Sequence, residues 1–188
     1  AAAAAAATVV GAPVPSEFHE MSSSCREIHD STAESLSGMA EAQNLEFKSS
    51  VWHAYQKPLN PNLSPQEVSK GIQEATIKTI CGFMNSEGGT LLVGVDDENK
   101  VLGLERDFKS KVIKNIDDYE LRIIRLLSDN LGRPNVAEFV RLSVPLVNGK
   151  EICRIDVKPS TTPVFSKNEK FYVRVSNATN SLLPSETL

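Results

Sequence analysis

The sequence predicts an α+β fold, a mixed β-sheet with helices packed against it. Three observations carry that reading. Two long stretches repeat their apolar residues at helical spacing. Several short stretches alternate or run apolar as strands do, in the order β-α-β-β-α-β-β-β with no internal repeat. The chain's 188 residues, 40% apolar and 23% charged, suit a single domain with enough material to bury a core.

Residues 1–29 stand apart. Seven alanines lead into Thr8-Val9-Val10-Gly11-Ala12-Pro13-Val14-Pro15 and then a Ser- and Glu-containing stretch without lasting periodicity. A disordered tail, a linker or an artefact is expected there. With no positive region before the apolar residues, a secretory signal is not expected. The domain proper is expected over residues 30–188.

Asp30-Ser31-Thr32 would cap a short helix reaching about Ala40, with Leu36 and Met39 as its apolar stripe. Leu45-Glu46-Phe47-Lys48 alternates as a strand, Leu45 and Phe47 facing one way and Glu46 and Lys48 the other. Pro58, Asn60, Pro61 and Asn62 punctuate a long loop from Ser49 to Leu63. Ser64-Pro65-Gln66-Glu67 then reads as a capping box with proline in the first turn. Val68, Ile72, Ala75, Thr79 and Phe83 carry that helix to about Asn85, and Gly88-Gly89 turns the chain.

Thr90 to Val95 is a continuous apolar run, expected of a central strand. Asp96-Asp97-Glu98-Asn99 makes a turn, and Lys100 to Leu104 would return as a hairpin partner. Asn115 to Leu131 predicts a second helix with Ile116, Tyr119, Ile123, Leu127 and Leu131 inward and Gly132 as its stop. Strands are expected at Glu138–Val144, at Glu151–Val157 after an Asn148-Gly149 turn, and at Phe171–Val175. Pro184-Ser185-Glu186 reads as another helix start.

Composition excludes several classes. No run of about 20 apolar residues is available to span a membrane. The widely spaced Cys25, Cys81 and Cys153 read as reduced thiols of a cytoplasmic protein, and His19, His29 and His53 form no metal-type pair with them. The net charge is −4, against a strongly basic coat protein. It is uneven: residues 1–50 carry −5 and the remainder +1, which leaves room for a local basic groove.

Glu41 and Glu46 lie five residues apart at the first strand, and Lys48 shares a strand face with Glu46. Asp96 and Asp97 follow the buried strand. If these two strands are neighbours, Glu41, Glu46 and one of the aspartates would converge, a repulsive arrangement unless a cation is present. Mg²⁺ or Mn²⁺ suits oxygen ligands, lowers the pKa of bound water and clamps a phosphate oxygen, with Lys48 opposing the charge of the transition state. The same residues suit a solvated strand edge followed by an ordinary turn. Asn85-Ser86-Glu87-Gly88-Gly89-Thr90 is small enough to offer backbone N–H groups to phosphate, but it lacks the P-loop lysine and reads better as a helix-to-strand turn. Arg141, Arg154, Lys158 and Arg174 fall mostly on the outward phase of the late strands, and Tyr172 shares a face with Arg174. These bases and the aromatic suit phosphate contact and base stacking, and equally plain solubility. No Ser, His or Cys arrangement for nucleophilic catalysis is present.

Three blocks, in order, resemble the Schlafen AlbA-like domain family: Glu41-Ala-Gln-Asn-Leu-Glu46-Phe-Lys48; Phe83-Met-Asn85 through Gly94-Val-Asp96-Asp97 with Val101-Leu-Gly103-Leu; and Phe171-Tyr-Val-Arg174-Val-Ser-Asn177-Ala-Thr179. The single copy is closer to prokaryotic members than to the animal proteins. The resemblance implies an α+β nucleic-acid-binding domain. In Schlafens that cleave structured RNA it implies a metal-binding carboxylate triad, which falls here on Glu41, Glu46 and Asp97, with Lys48 at the motif lysine. Animal Schlafens pair two such domains and carry zinc ligands. This chain has one copy and no counterpart of those ligands, so a homodimer or a longer protein would have to supply the second half.

The leading expectation is therefore a DNA- or RNA-binding domain with a Mg²⁺- or Mn²⁺-dependent endonuclease centre at Glu41, Glu46 and Asp97. Lys48 assists, and Arg141, Arg154, Arg174 and Tyr172 contact nucleic acid. Its rivals are a non-catalytic nucleic-acid-binding regulatory or sensor module and a protein-interaction or dimerisation domain.

Overall fold

The computed structural model describes residues 31–58 and 60–182. The tail expected over residues 1–29 and the helix start at Pro184-Ser185-Glu186 lie outside the described residues.

The fold is α+β. In chain order the elements are α1 (Ala33–Ser37), β1 (Leu45–Lys48), α2 (Pro65–Met84), β2 (Gly89–Val93), α3 (Glu105–Lys111), α4 (Ile116–Leu131), α5 (Arg133–Phe139), β3 (Val140–Ser143), β4 (Leu146–Val147), β5 (Lys150–Glu151), β6 (Cys153–Val157), β7 (Phe171–Val175) and β8 (Ala178–Leu182). Four strands form a mixed sheet in the order β1-β2-β6-β3. β1 runs parallel to β2, whereas β6 is antiparallel to both its neighbours. Two small ribbons, β4-β5 and β7-β8, complete the strands.

Register decides what each sheet face carries. Glu46, Leu91, Ile155 and Leu142 lie abreast on one face, and Leu45, Thr90, Asp156 and Arg141 on the other. The first face buries Leu91, Val93, Cys153, Ile155 and Val157 against Ile80, Phe83 and Met84 of α2, Ile123 and Leu127 of α4, and Val136 of α5. The second buries Leu45, Phe47 and Leu92 against Ala33 and Leu36 of α1. Toward β3 that second face becomes polar.

Both long helices match expectation. Ser64 accepts from the Glu67 N–H while the Glu67 carboxylate accepts from the Ser64 N–H, so the capping box is complete. Tyr119, Ile123, Leu127 and Leu131 of α4 are all buried. Burial in α2 is confined to its second half, from Thr76 onward, because its first turns lie over a loop rather than over the sheet.

Several boundaries differ from expectation. α1 stops at Ser37, and Met39 is 42% exposed, so only Leu36 of the anticipated stripe is core. Lys100–Leu104 is not a strand; it touches the preceding one through a single Val95–Val101 bridge. Gly94 and Gly103 have φ of 94° and 81°, and the Gly94 carbonyl accepts from both the Leu102 and Gly103 N–H groups. That tight return feeds α3, which the polar run Glu105–Lys111 did not announce. The strand expected from Glu138 begins only at Val140, after α5. Val136 and Phe139, three apart, are the buried helical spacing hidden in a run read as alternating. β8, opposite β7 across a turn at Ser176 (φ 57°), was also unforeseen.

Candidate functional site

β1 presents Glu46 and Lys48 on the face that elsewhere holds the main core, and neither side chain is free. Lys48 Nζ forms an ion pair with Glu46 Oε1 and donates to the Phe47 carbonyl at 3.1 Å. Arg174 Nη2 approaches the other oxygen, Glu46 Oε2, at 2.7 Å. The Arg174 guanidinium also donates from Nε to the Gln43 carbonyl (2.7 Å) and from Nη2 to the Ala42 and Leu45 carbonyls (2.8 and 3.3 Å). Its Nη1 donates to Thr179 Oγ1 (3.2 Å). It lies 4.9 Å from the centre of the Phe83 ring. Its side chain is 1% exposed against 12% for Glu46. Arg174 is thus a clamp that ties β7 to the approach and start of β1.

Glu41 Oε1 accepts from the Phe47 N–H at 2.8 Å. Asp96 accepts from the Glu98 and Lys100 N–H groups at 3.0 and 2.9 Å, closing its own turn. Asp97 beside it is exposed. Among the described residues no three His, Cys, Asp or Glu side chains are grouped to hold a metal ion. With both Glu46 oxygens engaged by cations, the expected triad does not fit Mg²⁺ or Mn²⁺ in this conformation.

The other anticipated bases are also engaged. Arg154 and Arg141 do face away from the main core, but Arg154 is buried, because β6 is an inner strand whose second face is covered. It donates from Nε to both Asp156 oxygens (3.0 and 2.8 Å) and from Nη1 to the Ser31 carbonyl. Thr90 Oγ1 donates to the same carboxylate at 2.6 Å. Half-buried Arg141 donates to the Ala137 and Val140 carbonyls at 3.1 and 3.0 Å. Tyr172 shares its face with Arg174 as expected, but that face turns toward α2, and Tyr172 packs on the main core.

The Asn85–Thr90 segment is a helix-to-strand turn. The Ser86 and Gly88 N–H groups both donate to the Phe83 carbonyl. Asn85 donates to the Val164 and Tyr172 carbonyls at 2.7 and 2.9 Å and accepts from the Val164 N–H at 2.8 Å. A Cβ on Gly89 would lie 2.5 Å from the Phe83 ring and 2.9 Å from the Asn44 carbonyl, which explains why glycine stands there. Cys81 is enclosed nearby, and burial pushes its thiol up to about 11.

A second polar centre went unnoticed in the sequence. Asp107 of α3, 2% exposed, accepts from the Ser50 hydroxyl, from the Val51 and Trp52 N–H groups (3.1 and 3.2 Å) and from the Tyr119 hydroxyl (3.4 Å). It fixes the loop after β1, and Trp52 meets Tyr119 edge-on at 5.4 Å. Nothing in the sequence marks it out: Asp107 stands beside Glu105 among Arg106, Lys109 and Lys111 in an ordinary mixed-charge run.

Two clefts flank Trp52. The larger, about 470 Å³, lies between the loop, the first turns of α2 and the end of α3, and is lined by His53, Leu63, Gln66, Val68, Ser110 and Lys111 among others. The smaller, about 300 Å³, is lined by Trp52, Lys111, Arg122, Arg125, Leu126 and Asp129. Arg106 sits 4.5 Å from the Tyr55 ring centre, and His53 meets that ring edge-on at 5.3 Å. Burial pushes the Tyr55 phenol up from its ordinary value, with the Arg106 charge opposing. Arg122 pairs with Asp118 at 3.0 Å. Lys111 and Arg125 make no ion pair or hydrogen bond from their side chains among the described residues.

This fold, with its charge-clamped first strand, defines a small α+β domain with a mixed four-stranded sheet. The chain belongs to the Schlafen AlbA_2 family, whose model matches residues 41–182. None of the curated proteins matches it significantly. Among solved structures, that of the DIP2311 protein from Corynebacterium diphtheriae is similar at 18% identity and a TM-score of 0.49, over 74% of this chain and 25% of that one. The chain thus spans about a quarter of the length of that protein. No described helix is long and apolar enough to cross a membrane.

Proposed function

We infer that this domain is a nucleic-acid-binding module that holds the phosphate backbone without cleaving it. The observation that carries the reading is the commitment of Glu46: a carboxylate flanked by Arg174 and Lys48 is a structural ion cluster, because releasing it would leave the buried Arg174 guanidinium uncompensated. Phosphate contact then falls to cations without an ion pair or side-chain hydrogen bond among the described residues. Exposed Arg106 and Arg125 and half-buried Lys111 meet that description better than Arg154 or Arg174.

Binding of fluorescent DNA and RNA oligonucleotides across a salt series tests this. Affinity should fall steeply with salt, and Lys111→Glu with Arg125→Glu should weaken binding about tenfold or more and flatten the salt slope by about two. A double variant that binds with wild-type affinity and slope would remove this face from the function.

A second reading is metal-dependent phosphodiester hydrolysis by Glu41, Glu46 and Asp97 with Lys48. It draws support from the parallel β1–β2 pairing, which sets the end of β1 and the chain leading to Asp97 at one end of the sheet. It requires Glu46 to leave its two cations. Cleavage of RNA or DNA with Mn²⁺, lost in Glu46→Gln and Asp97→Asn, would establish it; no products at any metal concentration would exclude it.

A further inference from the structure

We propose that the cleft beside Trp52 accepts one unpaired nucleobase of a single-stranded nucleic acid, while Lys111 and Arg125 hold the adjoining phosphates. The inference rests on the binding function argued above and adds where, and in which form, the strand is read.

Three features point there. The two clefts share Trp52 and Lys111, so an apolar slot and a basic groove adjoin across those two side chains. That is the division of labour a single strand needs, with a flat base on one side and its phosphates on the other. The slot has the volume of an ordinary small-ligand site, about 470 Å³. Its walls are mostly apolar (Leu63, Val68), with the Gln66 amide as a polar group without a side-chain partner among the described residues. An amide of that kind offers both donor and acceptor to a base edge.

The indole is held in advance. Asp107 accepts from the Trp52 main-chain N–H, Tyr119 meets the ring edge-on, and the residue is 8% exposed at the edge of the core, so little ordering remains to oppose binding. The charge of the groove also fits: with Arg122 already paired to Asp118, Lys111 and Arg125 against Asp129 leave a net positive charge that favours a polyanion over a neutral apolar peptide. A duplex keeps its bases stacked inside and has none to offer the slot unless it pays for unpairing.

The test uses the chain's own reporter, since Trp52 is its single tryptophan. A 12-nucleotide single strand should quench Trp52 fluorescence. The same strand with abasic positions should bind about tenfold more weakly and leave the fluorescence unchanged, and a blunt duplex should bind without quenching. Gln66 is exposed on the first turn of α2, so Gln66→Tyr fills the slot without disturbing the core and keeps Trp52 as the single tryptophan. In that variant the abasic and intact strands should bind equally, at the abasic level. Equal affinity of wild type for intact, abasic and duplex DNA would overturn the base slot while leaving the backbone-binding function standing. Absence of binding to every nucleic acid at low salt would sink that function itself. Tight quenching by a short apolar peptide, unmatched by any oligonucleotide, would assign the cleft to a protein partner and overturn the proposal.

Discussion

Two guanidinium groups in this molecule lie over aromatic rings at nearly the same distance, yet they do opposite jobs. Arg174 sits 4.9 Å from Phe83 and Arg106 4.5 Å from Tyr55. Around Arg174 the chain has gathered Glu46, three main-chain carbonyls and a threonine hydroxyl. Around Arg106 the described residues offer only the ring, and the side chain remains exposed. The residue type does not distinguish the two; the number of acceptors within reach does. A cation with every donor satisfied belongs to the fold, whereas one left with open donors is available to an outside anion.

The sharpest way to break that comparison is Arg174→Ala. Removing the guanidinium strands the Glu46 carboxylate beside Lys48 alone and takes a donor from the Gln43, Ala42 and Leu45 carbonyls, of which Ala42 and Leu45 keep their mutual main-chain N–H partners. The expected loss is about 3–5 kcal/mol, the usual cost of breaking one side of a buried ion pair, read as a large fall in the denaturation midpoint. Arg106→Ala should cost well under 1 kcal/mol, as exposed substitutions do. Equal losses would mean that the ring contacts, not the acceptors, decide the roles.

The contrast also explains what the sequence could disclose. Period and capping made α2, α4 and β2 readable, because each depends on residues close in the chain: Ser64 with Glu67, Tyr119 with Ile123 and Leu127. The strand phase of Arg154 was legible too. Its burial was not, since that depends on β6 being an inner strand and on Ser31, distant in the chain, reaching over it. The Glu46–Arg174 pair spans a separation of 128 residues, and no local pattern encodes such a distance. Family resemblance marked the right residues around β1 but could not say that two cations would occupy both oxygens of one of them. Asp107 failed to stand out for the opposite reason: it sits in a polar helix whose exposed neighbours gave it an ordinary appearance.

Asp107 tests whether the cleft region has a clamp of its own. In Asp107→Ala the Ser50 hydroxyl and the Val51 and Trp52 N–H groups lose a buried acceptor. The loss should be about 2–4 kcal/mol, from unsatisfied donors at roughly 1–3 kcal/mol each with partial relaxation. Trp52 emission should shift red as the loop loosens. An unchanged spectrum with lowered stability would show that Tyr119 packing alone positions the indole.

The smallest effect sharpens the boundary of the cleft. Ser64 caps α2, and the next two residues, Pro65 and Gln66, line the slot. Ser64→Ala should cost about 1 kcal/mol while leaving the Arg174 region untouched. The effect should depend on pH in a definite sense. The Ser64 N–H, and then its hydroxyl, hold the Glu67 carboxyl below its ordinary value. A group whose folded pKa is lowered contributes stability above its unfolded pKa and loses it as pH falls through the folded one. The hydroxyl's share is missing in Ser64→Ala, so the gap between wild type and variant should narrow as the solution is acidified through the carboxylate range. Thermal melts of both proteins across that range measure it. A gap that stays constant would mean the capping hydroxyl acts only on the helix N–H groups and not on the Glu67 carboxylate.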